Sequence, residues 1–338
     1  MELYSIKQER QIKPSLVKID RESNIPLIGC IAFGIIDRGT NLLQVRCTSV
    51  CNMKCEFCST AANDFNMHPT NYIVDADYLL DWVKEIVEFK GDNTHIFLDS
   101  VGDPLTHPDF VELVTGLRNI KQVKDIIVIT NGTLLNRKKV DELEEAGLTR
   151  INISLHSLDE LKSRKLFGSD SYSLKNVLDV IDYIAKSKIK LMLTPVLFTN
   201  VNDEEIENII KFSKEIGCSI GIQNYEIYKY SRKMKGAKKI NYWKFYRKIN
   251  ELEKRYDIKL RFNDKDFNIE RRERLPLAFG INEKAYAEIK CNGWIRGQMI
   301  GVAKNRCISI NNCKNVINDK VRVKIVENKS NIYIGELY

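Results

Sequence analysis

The sequence lacks any apolar run approaching the length of a membrane span. The stretch from Met1 to Asp20 is charged and has no apolar centre, so a secretory leader is not expected. No disulfide framework is legible either. Nine Cys is an odd number, and three of them are clustered. That pattern points to a reducing, cytoplasmic setting and to metal work. Charge imbalance is slight: a formal +8 over 338 residues fits a polyanionic partner and an ordinary basic enzyme equally well. At 43% hydrophobic, the chain can bury a sizeable core, enough for one large and one small domain.

What is present is concentrated between Val45 and Ser59. There Cys51, Cys55 and Cys58 form a Cys-x3-Cys-x2-Cys pattern directly after an apolar run, Leu42 to Val45. A structural zinc site needs four ligands, usually from two Cys-x2-Cys hooks or one hook and a His pair, and only one hook occurs here. Three thiols so close together suit a polynuclear iron–sulfur site. In a four-iron cubane they leave one iron for a ligand that is not protein.

From Leu42 onward, short apolar runs alternate with helical patterns. The strand candidates are 42–47, 94–99, 125–130, 150–155, 189–196 and 218–223. Amphipathic stretches at 75–90, 107–119, 134–146, 172–187 and 203–216 separate them. This rhythm predicts an α/β fold with parallel strands and right-handed crossovers, whose chemistry sits where strands end. Ahead of it, Ile28, Ile31, Phe33, Ile35 and Ile36 form a candidate strand pair. Arg38-Gly39-Thr40 reads as the turn into the first core strand, and Cys30 and Cys47 as small buried residues.

At the cysteine motif the chain resembles the radical S-adenosylmethionine (SAM) superfamily. The resemblance implies a (β/α)6 partial TIM-type barrel and a 4Fe-4S cluster ligated by Cys51, Cys55 and Cys58. SAM is then chelated on the open iron through its amino and carboxylate groups. Phe57 matches an aromatic that packs near the SAM adenine. Val101-Gly102-Asp103-Pro104 stands where the family has a Gly-Gly-Glu-type segment. Gly102 permits close backbone approach, and Asp103 offers an acceptor to the SAM ammonium. Asn131 closes the third strand near the SAM pocket, and Ser154 resembles the residue that binds the SAM carboxylate. Val196 falls in the region lining adenine and ribose, although the usual Gly-rich pattern there is missing. Period two puts His156 on the face of Ser154, where it is either a proton donor or acceptor to substrate or a satisfied core residue. His68, His95 and His107 have less support. The resemblance also implies an electron donor such as ferredoxin or flavodoxin.

Past 225 the barrel rhythm stops. Tyr228 to Lys239 interleaves aromatic and basic residues, including Lys229, Arg232 and Lys233, a composition suited to phosphates and stacked bases and equally to a solvated linker. Tyr242, Phe245, Tyr246, Ile249 and Leu252 follow at helical spacing, as a core stripe would. The last stretch holds several short strands, with Val321, Val323 and Ile325 inward and Arg322 and Lys324 outward. A small antiparallel barrel of the oligonucleotide-binding kind is expected. This tail resembles a TRAM domain, an RNA-binding module of tRNA methylthiotransferases and some RNA uracil methyltransferases. It does so through Lys304-Asn305-Arg306, the Asp-x-Val-x-Val-x-Ile strand and Gly335-Glu336-Leu337. The resemblance implies RNA, foremost tRNA, as partner through Lys304, Arg306, Arg322 and Lys324.

The layout expected is therefore an N-terminal extension (1–40), a radical SAM core (41–225), a helical and basic extension (226–290) and a TRAM-like β domain (291–338). Cys291, Cys307 and Cys313 raise the option of an auxiliary cluster, but their Cys-x15-Cys-x5-Cys spacing matches no known motif and the option is not favoured. The extra three-Cys N-terminal domain of methylthiotransferases is missing, which disfavours sulfur insertion. A radical SAM enzyme acting on a peptide or small cofactor precursor, with the tail as a lid, remains the alternative. A non-catalytic iron–sulfur RNA-binding protein is the remote one.

Overall fold

The computed structural model describes residues 14–338; the part of the expected extension before Pro14 lies outside them. The first strand, β1 (Ser15–Ile19), is followed by turns and then by β2 (Gly34–Asp37) and β3 (Leu42–Arg46), an antiparallel pair. The expected strand pair over 28–36 is thus a single strand, because residues 28–33 form bends beneath the C-terminal barrel. Gly29, at φ +122°, explains the bend: a Cβ there would lie 2.1 Å from the Cys307 carbonyl oxygen. The cysteine loop leaves β3 and returns through β4 (Thr70–Val74), which pairs in parallel with β1.

The chain then alternates as its periodicity requires. In order come α1 (Ala76–Lys90), β5 (Thr94–Leu98), α2 (Phe110–Arg118), β6 (Val123–Thr130), α3 (Arg137–Glu145) and β7 (Arg150–Ile153). They continue as α4 (Glu160–Phe167), α5 (Leu174–Ala185), β8 (Lys190–Leu193), β9 (Val196–Leu197), α6 (Asp203–Ile216), β10 (Ser219–Ile220) and β11 (Gln223–Asn224). The main sheet runs β10-β8-β7-β6-β5-β3-β2, parallel throughout except for β2 at its edge. This is a partial barrel of six parallel strands with helices outside. Two differences have simple causes. Each of the last two expected strands is split, with β9 and β11 forming a separate small parallel pair. The short helix α4, only eight residues, is too brief to show a clear apolar stripe.

Several helices begin at a residue whose side chain caps the first turn. Asp75, Asn136, Asp159 and Ser173 accept a backbone N–H of the first turn through their side chains. In α7 (Tyr242–Tyr256), Phe245, Ile249 and Leu252 are buried, but Tyr242 and Tyr246 turn outward at 56% and 38% exposure. The expected five-residue core stripe is therefore narrower. A 100° apolar face has room for the three, and the two tyrosines lie on its flank.

The tail is a closed five-stranded barrel of β12 (Lys284–Asn292), β13 (Met299–Ala303), β14 (Arg306–Asn311), β15 (Lys320–Glu327) and β16 (Ile334–Leu337). Its order is β12-β13-β14-β16-β15, with β14 and β16 parallel and the other pairs antiparallel. Val321, Val323 and Ile325 point into its core. The barrel starts at Lys284, ahead of the expected 291, and Cys291 belongs to its first strand. It is fastened to the larger unit: the Cys307 N–H donates to the Ile28 oxygen, Tyr333 N–H to Gly29 and the Tyr72 hydroxyl to Asn292. Cys291 and Cys307 pack into the main core, whereas Cys313 packs into the barrel core, so the three thiols share no common site.

The deepest polar contact joins α1, β2 and the strap before the barrel. Lys90 Nζ lies 3.0 Å from Asp37 Oδ1, with both side chains fully buried, and also donates to the Glu273 oxygen at 2.6 Å. The Asp37 carboxylate accepts from Gly39 N–H and Leu275 N–H. Removing one partner of such a pair leaves an uncompensated buried charge. Lys90→Met is expected to cost about 3–5 kcal/mol, read as a fall in the urea midpoint. An unchanged midpoint would contradict the role given to this pair.

Candidate active site

The cysteine loop sits at the C-terminal ends of the parallel strands and is held from every side. The Asp103 N–H donates to the Val50 oxygen at 2.8 Å, and the Thr60 hydroxyl donates to Val101 at 2.7 Å. Asn63 Nδ2 reaches both the Cys51 and Met53 oxygens at 2.8 Å. Lys54 and Glu56 N–H groups donate to Phe167 and Leu166 at the end of α4. His68 stacks on Trp294 with centroids 3.9 Å apart and bonds the Thr60 oxygen through Nε2, tying the loop to the C-terminal barrel.

Cys51, Cys55 and Cys58 all line one cavity of about 350 Å³. Their sulfurs already attract donors: Met53 N–H to Cys51 Sγ and Ala62 N–H to Cys58 Sγ, each at 3.4 Å. Burial pushes the Cys51 thiol up to about 12, with Asp103 and Cys58 adding to the effect. Burial and the two neighbouring thiols push Cys55 well above its ordinary value. Cys51 and Cys55 are thus poor free thiolates, and the three sulfurs together are a good set of ligands, since iron supplies the missing positive charge. Among the described residues, no three Cys, His, Asp or Glu side chains converge on a point that would hold a single ion. A cubane does not ask for that, because each thiolate takes a different iron. The donor set therefore fits a 4Fe-4S cluster.

The other expected residues all border this cavity. Phe57, Gly102, Asp103, Asn131, Ser154, His156 and Val196 are on its wall. Their roles differ from the expectation in three cases. Asp103 is 3% exposed, and its oxygens accept from the Thr130 hydroxyl, Asn131 N–H and Leu105 N–H at 2.8–3.0 Å. Its carboxylate ties the end of β5 to the end of β6, leaving little capacity for an ammonium. Asn131 is likewise engaged, donating to Asn52 Oδ1 and accepting from Thr133. His156 is 2% exposed, and its Nδ1 accepts the Val196 N–H at 3.1 Å, which leaves the ring proton on Nε2. Burial lowers its pKa to about 3. A ring that stays neutral at physiological pH can donate a hydrogen bond but is not a cationic acid. Phe57 meets it edge-on at 4.6 Å.

Arg232 is also reassigned. Its Nη1 donates to the Cys55 oxygen at 2.9 Å and its Nη2 to the Ala61 and Ala62 oxygens, while its own N–H donates to Cys58. It is a clamp on the cysteine loop rather than a free cation. The remaining RNA candidates lie at the surface. Lys304 pairs with Glu283 at 2.6 Å, and Arg306 donates to the Asn305 oxygen. Lys229 lies over the Tyr230 ring, and Lys233 is exposed. Arg322 and Lys324 project from β15. Sequence reasoning missed Gln223, Asn224, Tyr225, Glu226 and Tyr228, which close the far side of the cavity. They follow the sixth parallel strand, so the strand-end rule, carried one strand further, would have found them.

A family model described as the radical SAM superfamily matches residues 45–213. The chain belongs to the radical SAM superfamily. It is 39% identical to an uncharacterised protein of Methanocaldococcus jannaschii, over 93% of this chain and 79% of that one. It is 28% identical to a GTP 3',8-cyclase of Aquifex aeolicus, but over 56% of this chain and 58% of the cyclase. The alignment thus spans little more than half of that enzyme. Among solved structures, Streptococcus suis SuiB bound to S-adenosylmethionine superposes with a TM-score of 0.52 at 19% identity, covering 70% of this chain and 49% of that one. The hydrogenase maturase HydG of Carboxydothermus hydrogenoformans gives 0.51 at 13%, covering 64% and 52%. At these identities the superpositions speak to the fold. The radical SAM family uses a 4Fe-4S cluster and SAM, the pair for which this cavity has the donors and the room.

Gly102 makes the sharpest demand on the site. A Cβ there would stand 2.0 Å from the Val50 oxygen and 2.6 Å from the Ser49 oxygen, both immovable backbone. Gly102→Ala must push the cysteine loop away. Iron bound after anaerobic reconstitution is expected to fall well below wild type, and to vanish when Cys51, Cys55 and Cys58 are all replaced by Ala. Full iron retention in Gly102→Ala would contradict this packing.

Proposed function

We propose that this radical SAM enzyme acts on RNA, with tRNA foremost, and that its C-terminal barrel is a TRAM-like module that holds the nucleic acid. A 4Fe-4S cluster held in the cysteine-lined cavity, once reduced by an external electron donor, would supply the electron for reductive cleavage of SAM and so for hydrogen abstraction from substrate. Cys51, Cys55 and Cys58 hold the iron. Gly102 lets the cysteine loop pack directly against the end of the second strand, and Phe57, Ser154 and Val196 offer SAM an aromatic face, a hydroxyl and an apolar edge. His156 donates one fixed hydrogen bond from Nε2, and Asp103, Asn131 and Arg232 keep the thiol loop in place.

The observation that carries the RNA reading is one row of side chains across three neighbouring strands. Tyr286 of β12 stands opposite Arg322 of β15, and the Tyr338 N–H bonds the Arg322 oxygen. The Arg322 guanidinium lies 5.7 Å from the Tyr286 ring centroid and 5.1 Å from that of Tyr338. Lys284 Nζ also lies over the Tyr338 ring, 4.5 Å from its centroid. Tyr286 is 69% exposed and Tyr338 45%. Lys320 and Lys324 flank the row on β15. Exposed rings interleaved with cations stack bases and meet phosphates without reading sequence.

A combined Tyr286→Ala and Tyr338→Ala variant tests this. Stacking is worth about 1–3 kcal/mol per base, so its affinity for total tRNA in a gel shift is expected to fall about tenfold or more. Wild-type binding should also weaken steeply with added salt. SAM cleavage by the variant without RNA should match wild type, since the row lies outside the cluster cavity. Unchanged tRNA affinity at every salt concentration would overturn the proposal.

A further inference from the structure

A second cavity, of about 310 Å³, lies deeper in the lumen of the partial barrel. It meets the cluster cavity at Thr194 and Gln223, which line both. Period two along the strands explains how it is built. Phe97, Ile127, Asn152 and Met192 are the inward residues one layer below the strand ends, and they form its inner wall. Phe262 and Phe267, their rings 5.4 Å apart, form its floor, and α7 closes the open side of the barrel through Phe245 and Tyr246.

Three features make this more than unfilled core. First, two guanidinium groups line it, Arg150 and Arg261, and no Asp or Glu does. Neither Arg lies within ion-pair distance of a carboxylate among the described residues. Arg150 instead sits 4.7 Å over the Phe267 ring and Arg261 4.9 Å over the Tyr246 ring. Second, burial lowers the pKa of Arg150, and the carboxylate acting on it, Asp125, lies beyond ion-pair distance and sits 2.8 Å from His95 Nδ1. A partly desolvated guanidinium without a partner is costly unless an anion joins it. Third, Asn152 Oδ1 and Thr194 Oγ1 are buried with no hydrogen-bond partner. Buried polar groups are nearly always paired, so two on one cavity wall mark a place meant for a ligand.

We infer that this lumen chamber binds a small planar carboxylate. Its anionic end would pair with Arg150, its flat body would lie among the aromatic walls, and a donor on it would reach Asn152 Oδ1. Its far edge would then face Thr194 and Gln223, the residues that the chamber shares with the cluster cavity. This site stands apart from the RNA reading: the chamber can hold such a ligand whether or not the C-terminal barrel grips nucleic acid.

The test uses the full-length, cluster-reconstituted protein with SAM present. Binding of 2-naphthoate and of its neutral isostere 2-naphthamide is measured by calorimetry. The acid is expected to bind about tenfold or more tighter than the amide, the margin of a charged hydrogen-bonded pair. Arg150→Gln should close that gap and Arg150→Lys should keep part of it. Arg261→Gln, at an exposed position where folding is not at stake, should narrow it. Equal affinities for acid and amide, no binding of either, or a gap untouched by both glutamine variants would overturn the inference. So would tighter binding of uridine or guanosine than of the acid, which would give the chamber to a nucleobase instead.

Discussion

Contact between the backbone of the cysteine loop and the backbone at Val101–Asp103 is the constraint on which the rest depends. Gly102 leaves no space beside Val50, so the first and second parallel strands end in direct contact. Asp103 extends the same clamp to the third strand through Thr130 and Asn131. α4 clamps the loop from another side, where a Cβ on Gly168 would lie 2.2 Å from the Lys54 oxygen. Arg232 completes the ring from beyond the sheet. The links from Arg232 are hydrogen bonds to carbonyl oxygens of the loop. They leave the three thiols lining the cavity. Preorganisation of this kind is what a reactive radical needs, because a site that is held needs no reordering once the substrate is in place.

The partial barrel then stacks functions in layers. Strand ends carry the cysteines, Ser154 and His156, and the layer beneath carries Phe97, Ile127, Asn152 and Met192. The two cavities share Thr194 and Gln223 as lining residues, next to the point where the last strands are split. β8 and β10 stop early, and β9 and β11 pair separately at that side. α7 and the strap with Phe262 and Phe267 cover the gap that six parallel strands leave. Irregularity at the final strands thus has a visible consequence for what the lumen can hold.

Much of this was legible in the sequence. The cysteine spacing is local, and the alternation of apolar runs and helical stripes reports burial directly, so the sheet and most helices fall where periodicity puts them. The β tail was legible for the same reason, since Val321, Val323 and Ile325 alternate cleanly. What was not legible depends on partners far away in the chain. Asp103 meets Thr130 27 residues later, and Arg232 meets Cys55 across 177 residues. Composition made Arg232 look like a phosphate-binding cation, whereas three-dimensional proximity makes it a clamp. His156 has the right face, but its burial, which decides its protonation, has no sequence signature. Tyr286 and Tyr338 escaped notice because one precedes the strands that were readable and the other is the last residue. Only barrel closure brings them to either side of Arg322.

The central claim is that three thiolates hold a cubane whose fourth iron is left for SAM. Electron paramagnetic resonance of the reconstituted, dithionite-reduced protein, recorded without and with SAM, addresses it most directly. A reduced 4Fe-4S signal whose g values shift when SAM is added is the predicted result, because the added ligand changes the open iron. A signal indifferent to SAM, or a signal of another cluster type, would contradict the account.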